Sequence, residues 1–269
     1  MQISPLQGKL DQSGFFIYAA ADAGYFDQYG VPLINSVTRN TPHGVHLHLY
    51  NPRQDQLAFC QQHERVSVTW ETVTQQQFQS AFDFWKRDVL PDPYMGRKRK
   101  MLGLKQYELK GNDLESLNTW LWKTYYACMR FVRMAEIIQT PTRFLEIDVD
   151  GLVRSPFEYM LPNDPKTDVY LYEKAKGGHL AGAMLFTERP SGVKFIHELG
   201  NMIRAEIEKD NIYWFLDQHS LDNIIGKYRK GLLPLTYIDW HMSPTSAIWS
   251  AKGKRKHLEI FVQELKKYQ

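Results

Sequence analysis

The sequence predicts an α/β fold, because short apolar strands alternate along the chain with segments of helical spacing. Of the 269 residues, 43% are hydrophobic and 13% aromatic, which is enough for a sizeable core. The strands are expected at 15–22, 45–50, 66–70, 144–149, 169–172 and 179–186. The longer helices are expected at 31–40, 73–89, 120–139 and about 191–210, the last with Ser191 as its cap. The chain has no internal repeat and no linker, so we expect a single domain over residues 1–269.

Composition limits the class of protein. The formal net charge of +3 is small, so the distribution of charge carries more information than its sum. Cys60 and Cys128 form neither a disulfide framework nor a metal-binding spacing, which fits a reducing cytoplasm. Residues 1–5 carry no basic region and no long apolar run, so we expect no signal peptide. No run of about 18 apolar residues predicts a membrane span.

The first strand ends in small residues followed by an acid. In a nucleotide-binding α/β sheet, the ends of the first strands form the ligand crevice, and the small residues before Asp22 let another group approach closely. A core strand that Asp22 merely caps is the alternative. In the second strand, His46 and His48 share one face. We interpret them as ordinary strand histidines near the surface rather than as metal ligands.

A basic run interrupts the pattern within residues 91–118, which the prolines and glycines of this segment mark as an irregular insertion. The run is Arg97, Lys98, Arg99 and Lys100. Four consecutive cations repel one another and rarely lie in a core. A solvated loop is one interpretation, and a contact with an anionic acceptor such as nucleic acid is the other.

The helix predicted at 120–139 carries cations on its apolar face. Arg133 falls inside that face, and Arg130 lies close to it. Burying an unpaired charge is costly, so each arginine needs a partner. A salt bridge to a core carboxylate and a contact with a nucleotide diphosphate are both open at this point.

The chain is organised around residues 144–157, where an apolar strand ends in Asp148 and Asp150 and is followed by Gly151. Residues two apart in a strand point to the same side, so the two carboxylates are expected to converge. Carboxylate oxygens suit Mg²⁺ or Mn²⁺, and these ions usually share their ligands with substrate phosphates. A pair of acids that only ends a strand and caps a turn is the alternative.

The last third of the chain holds three further segments whose residues are suited to binding or catalysis. Gly182 in the strand 179–186 indicates a close approach by another group, either a sugar or a tightly packed strand. Asp217 and Gln218 begin a helix, where a carboxylate is favourable as a cap. The loop after Ile248 has lysines around Gly253, and such a loop suits phosphate.

Four segments in this order resemble the nucleotide-sugar glycosyltransferases of the GT-A fold. They are Phe144–Phe157 with its Asp-x-Asp motif, His179–Phe186, Trp214–Leu221 with its Asp-Gln pair, and Ile248–Lys254. The resemblance implies a GT-A-like, Rossmann-related fold with a mixed, mainly parallel central sheet flanked by helices. It also implies a nucleotide-binding half at about 1–150 and an acceptor and sugar half at about 151–269.

The resemblance assigns roles to individual residues. Catalysis would fall to Asp217 and Gln218, and the sugar or acceptor would contact His179, Ala181 and Gly182. The donor would contact Ala20, Asp22, Arg130, Arg133, Asp148, Asp150, Lys252, Gly253 and Lys254. A divalent ion, Mn²⁺ or Mg²⁺, would bind Asp148 and Asp150. Related enzymes often add a histidine, but Trp249 stands at that position here. His241 or His257 could substitute, and His241 is the ligand that we predict.

The predicted reaction is sugar transfer from a uridine diphosphate (UDP) sugar, with UDP-glucose as the expected donor, to an acceptor hydroxyl. The compact chain resembles small phage-encoded enzymes that glycosylate DNA bases. We therefore predict 5-hydroxymethylcytosine in phage DNA as the acceptor, inside a bacterial host cytoplasm, with Arg97–Lys100 binding the DNA. The alternatives are a transferase that builds lipopolysaccharide or another cell-surface glycan, and a non-catalytic nucleic-acid-binding protein on a degenerate fold.

Overall fold

The computed structural model describes residues 1–84, 114–173, 178–234 and 238–269. The strands are β1 Gln7–Gly8, β2 Phe16–Asp22, β3 Gly44–Tyr50, β4 Val66–Glu71, β5 Phe144–Ile147, β6 Gly151–Val153, β7 Val169–Glu173, β8 His179–Phe186, β9 Lys230–Leu232, β10 Ile238–Asp239 and β11 Ile248–Ser250. The helices are α1 Ala23–Tyr25, α2 Val31–Asn40, α3 Gln54–Gln61, α4 Gln79–Phe84, α5 Leu114–Ile137, α6 Pro190–Glu208, α7 Leu216–Ile224 and α8 Glu259–Lys266.

Eight strands form the central sheet in the order β1-β4-β3-β2-β5-β8-β7-β9. Strands β4, β3, β2 and β5 are mutually parallel, whereas β8 runs antiparallel to β5 and β7. The prediction of a mixed, mainly parallel sheet is therefore confirmed. The chain order reverses at β2, which has β3 on one side and β5 on the other. In open α/β sheets, ligands bind beyond the carboxyl ends of the strands at such a point.

Two apolar layers cover the sheet, because successive side chains of a strand face opposite sides. From β2, Phe16 and Tyr18 point into the layer formed with α5, α6 and α7. Ile17 and Ala19 point into the other layer, which contains α2, α3 and α8. Within the described ranges, no helix combines the length and the apolar character that crossing a membrane requires.

A small second sheet, β10-β11-β6, brings the C-terminal loop to the same edge. Strand β6 pairs antiparallel with β11, and Ser250 lies opposite Gly151. Residues 253–257, which follow β11, form a short 3₁₀ turn. The lysines of this loop are thereby brought beside the turn that carries Asp148 and Asp150.

The strand histidines were predicted near the surface, and this expectation is wrong. His46 and His48 of β3 are fully buried. Their rings bond Ser67, Thr69 and Glu71 of the neighbouring strand β4, with N···O distances of 2.8 to 3.3 Å. A buried polar group is tolerated when it is hydrogen-bonded, and the parallel register of β3 and β4 supplies a partner for each ring nitrogen.

Two predicted boundaries also need correction. In place of the helix expected at 73–89, a 3₁₀ turn covers Gln75–Phe78 and α4 follows it. The rest of the expected helix lies outside the described residues. The next correction concerns Ser191, which was expected to cap α6. Arg189 is the N-cap, and Ser191 sits in the first turn, where its hydroxyl bonds Asp168. The buried Asp168 therefore recruits the serine away from the cap.

Candidate active site

Asp148 and Asp150 lie on a turn between two sheets, not on a strand as predicted. Strand β5 ends at Ile147, and the N–H of Gly151 closes the turn on the carbonyl of Asp148 at 2.9 Å. Val149 between them is buried. The period of two along a strand therefore does not bring the carboxylates together. Each aspartate instead meets a different set of partners.

Gly182 of β8 makes room for Asp148. A Cβ atom at this position would lie 2.6 Å from Asp148 Oδ2, a distance that real Cβ atoms essentially never show. The sequence predicted a close approach at Gly182, with a sugar or a strand as the neighbour. The structure shows that the neighbouring group is the Asp148 carboxylate.

Arg130 of α5 is surrounded by acids. Its Nη1 lies 2.5 Å from Asp148 Oδ1 and 3.2 Å from Glu146 Oε1, and its Nη2 lies 3.6 Å from Asp217 Oδ2. Nη2 also donates a hydrogen bond of 2.9 Å to the carbonyl of Ala181. A planar guanidinium can hold several oxygens at fixed angles, so Arg130 sets the relative positions of the ends of β5 and α7.

The C-terminal loop supplies an ammonium group to each aspartate. Lys256 Nζ lies 2.5 Å from Asp150 Oδ2, and Lys252 Nζ lies 3.6 Å from Asp148 Oδ2. Ser250 donates a hydrogen bond of 3.3 Å to Asp150 Oδ1. The aspartate turn and the lysine loop therefore form one charged unit.

A cavity of about 420 Å³ opens onto this unit at the carboxyl edge of β2 and β5. Such a volume is in the usual range for a small-molecule site. Its walls include Ala20, Ala21, Asp22, Tyr25, Tyr50, Lys123, Tyr126, Ala127, Arg130, Asp148, Val149, Asp150, Trp214 and Lys256. The cavity thus combines small and aromatic side chains with cations and carboxylates.

Sequence reasoning had predicted Ala20, Asp22, Arg130, Asp148 and Asp150 as donor contacts, and the structure brings these five to one cavity. Asp22 also accepts a hydrogen bond from the N–H of Tyr25 at 2.8 Å, so it caps α1 as the alternative interpretation required.

Several lining residues were missed. Lys123, Tyr126 and Arg130 follow each other at helical spacing along α5, and this signal could have identified one face of the helix as a wall. Lys256 belongs to the lysine-rich loop that was predicted to suit phosphate, but it was not among the predicted donor contacts. Only the course of the loop shows that it reaches the cavity. Tyr25 carried no signal in the sequence beyond being aromatic, and Trp214 was named only as the first residue of the segment Trp214–Leu221.

Other predicted residues lie elsewhere. Arg133 is 1% exposed, and its guanidinium bonds Glu71 and Glu136, which is the salt-bridge alternative for this residue. His179 bonds Asp222 through Nδ1 at 2.9 Å and Lys230 through Nε2 at 2.8 Å.

Neither Gly253 nor Lys254 is among the residues that line the cavity. The N–H of Gln218 donates to the side chain of Asp217 at 2.8 Å, which ties the predicted catalytic pair together at the start of α7. The basic run Arg97–Lys100 lies outside the described residues.

The surroundings of the acids shift their protonation in different directions. Burial raises the pKa of Glu146 to about 8, against the opposing effect of Arg130. Burial also raises the pKa of Asp217, again opposed by Arg130. A carboxyl with a raised pKa is a better proton acceptor, so Asp217 is suited to general base chemistry.

The two aspartates of the turn differ from each other. Burial acts to raise the pKa of Asp148, but Lys252 and Arg130 outweigh it and hold the pKa below the usual value. Burial and the charge of Asp148 raise the pKa of Asp150, with Lys256 opposing. Asp148 is therefore the more strongly ionised acid of the pair.

The predicted divalent metal does not fit this donor set. His241 is exposed, and its backbone N–H bonds Asp239. The part of the chain that the structure describes contains no group of three His, Cys, Asp or Glu side chains able to hold an ion. The Lys256 ammonium lies 2.5 Å from Asp150 Oδ2, on the carboxylate where the ion would bind, and its like charge opposes a divalent ion there.

In sequence, the chain matches no protein-family model and no curated protein. Solved structures, in contrast, share its fold, which is that of the GT-A glycosyltransferases. The predicted fold is therefore confirmed by comparison.

Three solved structures illustrate the likeness. Glycosyltransferase GlyE of Streptococcus pneumoniae TIGR4 has a TM-score of 0.51 at 14% identity, over 94% of this chain and 63% of GlyE. The bifunctional glycosyltransferase WbbM has a TM-score of 0.54 at 13% identity, over 96% of this chain and 51% of WbbM. Galactosyltransferase LgtC, solved with donor and acceptor sugar analogues, has a TM-score of 0.52 at 12% identity, over 93% of this chain and 95% of LgtC. This chain thus spans about half to two thirds of GlyE and WbbM and nearly all of LgtC.

Proposed function

We propose that this protein is a glycosyltransferase that moves a sugar from a nucleoside diphosphate sugar to an acceptor hydroxyl. The observation that carries the proposal is the cavity beyond β2 and β5. Small residues and Tyr25 line it beside Arg130 and Lys256, at the point where strand order reverses. A nucleoside fits against the small and aromatic wall, and its diphosphate then meets the cations.

The reaction breaks the bond between the anomeric carbon and the diphosphate oxygen and forms a bond from that carbon to the acceptor oxygen. The leaving diphosphate keeps the electron pair, and Lys256 and Arg130 are placed to stabilise its charge. The acceptor hydroxyl loses its proton, and Asp217 is our candidate to receive it, with Arg130 holding its carboxylate in place at 3.6 Å.

The donor is expected to be a UDP-sugar, with UDP-glucose as the first to test. This choice follows from the resemblance in sequence motifs, and the likeness in fold to LgtC supports a nucleotide-sugar donor in general. The sequence also predicts a metal-dependent reaction, so the assay needs arms with Mn²⁺, with Mg²⁺ and with a chelator.

For the acceptor, we favour a sugar hydroxyl of a cell-surface glycan over a base in DNA. LgtC was solved with an acceptor sugar analogue, and it shares nearly its whole length with this chain. Two cations of the loop after β11 already have partners, because Lys252 and Lys256 pair with Asp148 and Asp150. These pairs make both lysines less available to a polyanion.

The test is a transfer assay with UDP-glucose and UDP-galactose. The acceptors are oligosaccharides with free hydroxyls, DNA carrying 5-hydroxymethylcytosine, and unmodified DNA. Transfer to an oligosaccharide supports the proposal, and transfer only to the modified DNA replaces the acceptor with the base first predicted. Absence of both transfer and donor hydrolysis would favour the non-catalytic alternative. Asp217→Asn is expected to lower turnover at least 100-fold while the protein stays folded.

A further inference from the structure

Lys256 is held in one position on the wall of the cavity. Its Nζ lies 2.5 Å from Asp150 Oδ2, 4.7 Å from the ring centroid of Tyr25 and 5.0 Å from that of Tyr29. The ammonium also lies 3.4 Å from the hydroxyl of Tyr25. The side chain is only 14% exposed. A carboxylate and the faces of two rings therefore fix this cation before any phosphate arrives.

Lys252 is held in the same way, by the other aspartate of the turn and an aromatic ring. Its Nζ lies 3.6 Å from Asp148 Oδ2 and 5.0 Å from the ring centroid of Trp240. The loop therefore places one ammonium on each acid of the Asp-x-Asp turn. These are the two carboxylates on which a divalent ion would have to sit.

The remaining partner of Asp150 is a poor ligand for such an ion. Ser250 on β11 offers a neutral hydroxyl, 3.3 Å from Asp150 Oδ1. Hydroxyls are weaker ligands for divalent metals than carboxylates or imidazoles. Metal binding would thus require the protein to release Lys256 from Asp150 and to keep two positive centres side by side.

We propose that this protein binds its nucleoside diphosphate without a divalent metal, and that the Lys256 ammonium supplies the cation at the diphosphate. The inference rests on the proposed function. An ammonium has three N–H donors, so Lys256 can bond Asp150 and a phosphate oxygen together. Asp150, Tyr25 and Tyr29 position the lysine, and Lys252 does not line the cavity but compensates Asp148 behind it.

Calorimetric titration of the full chain with UDP, GDP and ADP, in EDTA and in Mn²⁺, tests the proposal. We expect at least one nucleotide to bind with dissociation constants that agree within about twofold between the two buffers. Lys256→Gln should weaken that binding at least tenfold in both. The control is Lys266→Gln, an exposed lysine of α8, which should bind as the wild type does. Thermal unfolding verifies that both variants are folded.

Two results would overturn the proposal while leaving the proposed function intact. One is wild-type binding that requires Mn²⁺. The other is a Lys256→Gln variant that Mn²⁺ restores to wild-type affinity. The wild-type comparison between EDTA and Mn²⁺ is decisive even if the variant does not fold. If none of the three nucleotides binds in either buffer, the donor site itself is refuted, and this inference falls with it.

Discussion

Gly182 shows how one residue without a side chain shapes the site. Its Cα faces the Asp148 carboxylate so closely that a methyl group would lie 2.6 Å from Oδ2. Gly182→Ala must therefore push Asp148 away from Arg130 and Lys252. We expect a loss of about 1–3 kcal/mol in the free energy of unfolding and at least tenfold weaker nucleotide binding. Urea unfolding and calorimetric titration measure the two effects.

The matched control is Gly226→Ala. Gly226 lies in a 3₁₀ turn, and a Cβ atom there would meet nothing within 4 Å. This variant should change stability by less than about 1 kcal/mol and leave nucleotide binding as it is. Equal effects of the two substitutions would mean that the contact with Asp148 is not what requires Gly182.

Glu146 gives the site a dependence on pH. Burial raises its folded pKa to about 8, while an unfolded glutamate titrates near 4.3. The folded state therefore binds more protons between these values, and stability must fall as pH rises through this window, by about 1.4 kcal/mol per pH unit. Glu146→Gln cannot lose a proton, so urea unfolding from pH 5.5 to 8.5 should show this component of the slope removed.

Glu64→Gln removes an exposed glutamate and serves as the control, which should keep the wild-type slope. If wild type and Glu146→Gln run parallel across this range of pH, Glu146 is ionised in the folded state. Arg130 would then balance its charge completely.

At the scale of elements, α5 and α6 approach closely at one point. A Cβ atom on Gly200 would lie 2.5 Å from the Cβ of Ala135 and 2.8 Å from the carbonyl of Phe131. Backbone cannot yield as a flexible side chain can, so Gly200→Ala must separate the two helices. We expect a loss of about 1–3 kcal/mol in the free energy of unfolding by urea. A loss no larger than that of Gly226→Ala would contradict this reading of the helix contact.

The buried histidine His46 of β3 also makes the stability depend on pH. Burial lowers the pKa of His46 to about 3, below its unfolded value near 6.5, so the unfolded state binds more protons between these values. Stability must then fall as pH decreases below 6.5, by about 1.4 kcal/mol per pH unit for this residue. His46→Gln should reduce the slope of unfolding free energy between pH 6.5 and 4.5 by that amount.

The exposed His241 provides the control, because His241→Gln leaves the buried His46 and His48 untouched. Its slope should equal that of the wild type. A wild-type stability that stays constant from pH 6.5 to 4.5 would show that water or protons reach His46 while the protein stays folded.

For the whole molecule, these groups act in opposite directions. Below pH 6.5 the pKa values of His46 and His48, both lowered by burial, favour a rise of stability with pH. Glu146 favours a decline from about pH 4.3 to 8, which the histidines oppose below pH 6.5 but not above it. We expect a maximum of stability between about pH 6 and 7, which a series of urea unfolding curves locates. A steady rise from pH 5 to 8.5 would contradict it.

The order and type of most elements were predictable because the local pattern of apolar residues carries them. The helix α2 and the strand β8 have the predicted bounds. The burial of His46 and His48 was not predictable, because their hydrogen-bond partners come from another strand. The same holds for Arg133, whose sequence position allowed either a salt bridge or a diphosphate contact. Its partner Glu71 lies 62 residues away in the chain.

The sequence by itself determined the α/β architecture, the Asp-x-Asp pair after an apolar strand and the basic loop after β11, since each depends on neighbouring residues. Only the tertiary structure decided what these parts do to one another. The pairing of β6 with β11 brings Lys256 to Asp150 across 106 residues of chain, and the antiparallel β8 brings Gly182 beneath Asp148. Contacts between distant segments depend on strand order and register, which local patterns of hydrophobicity do not encode.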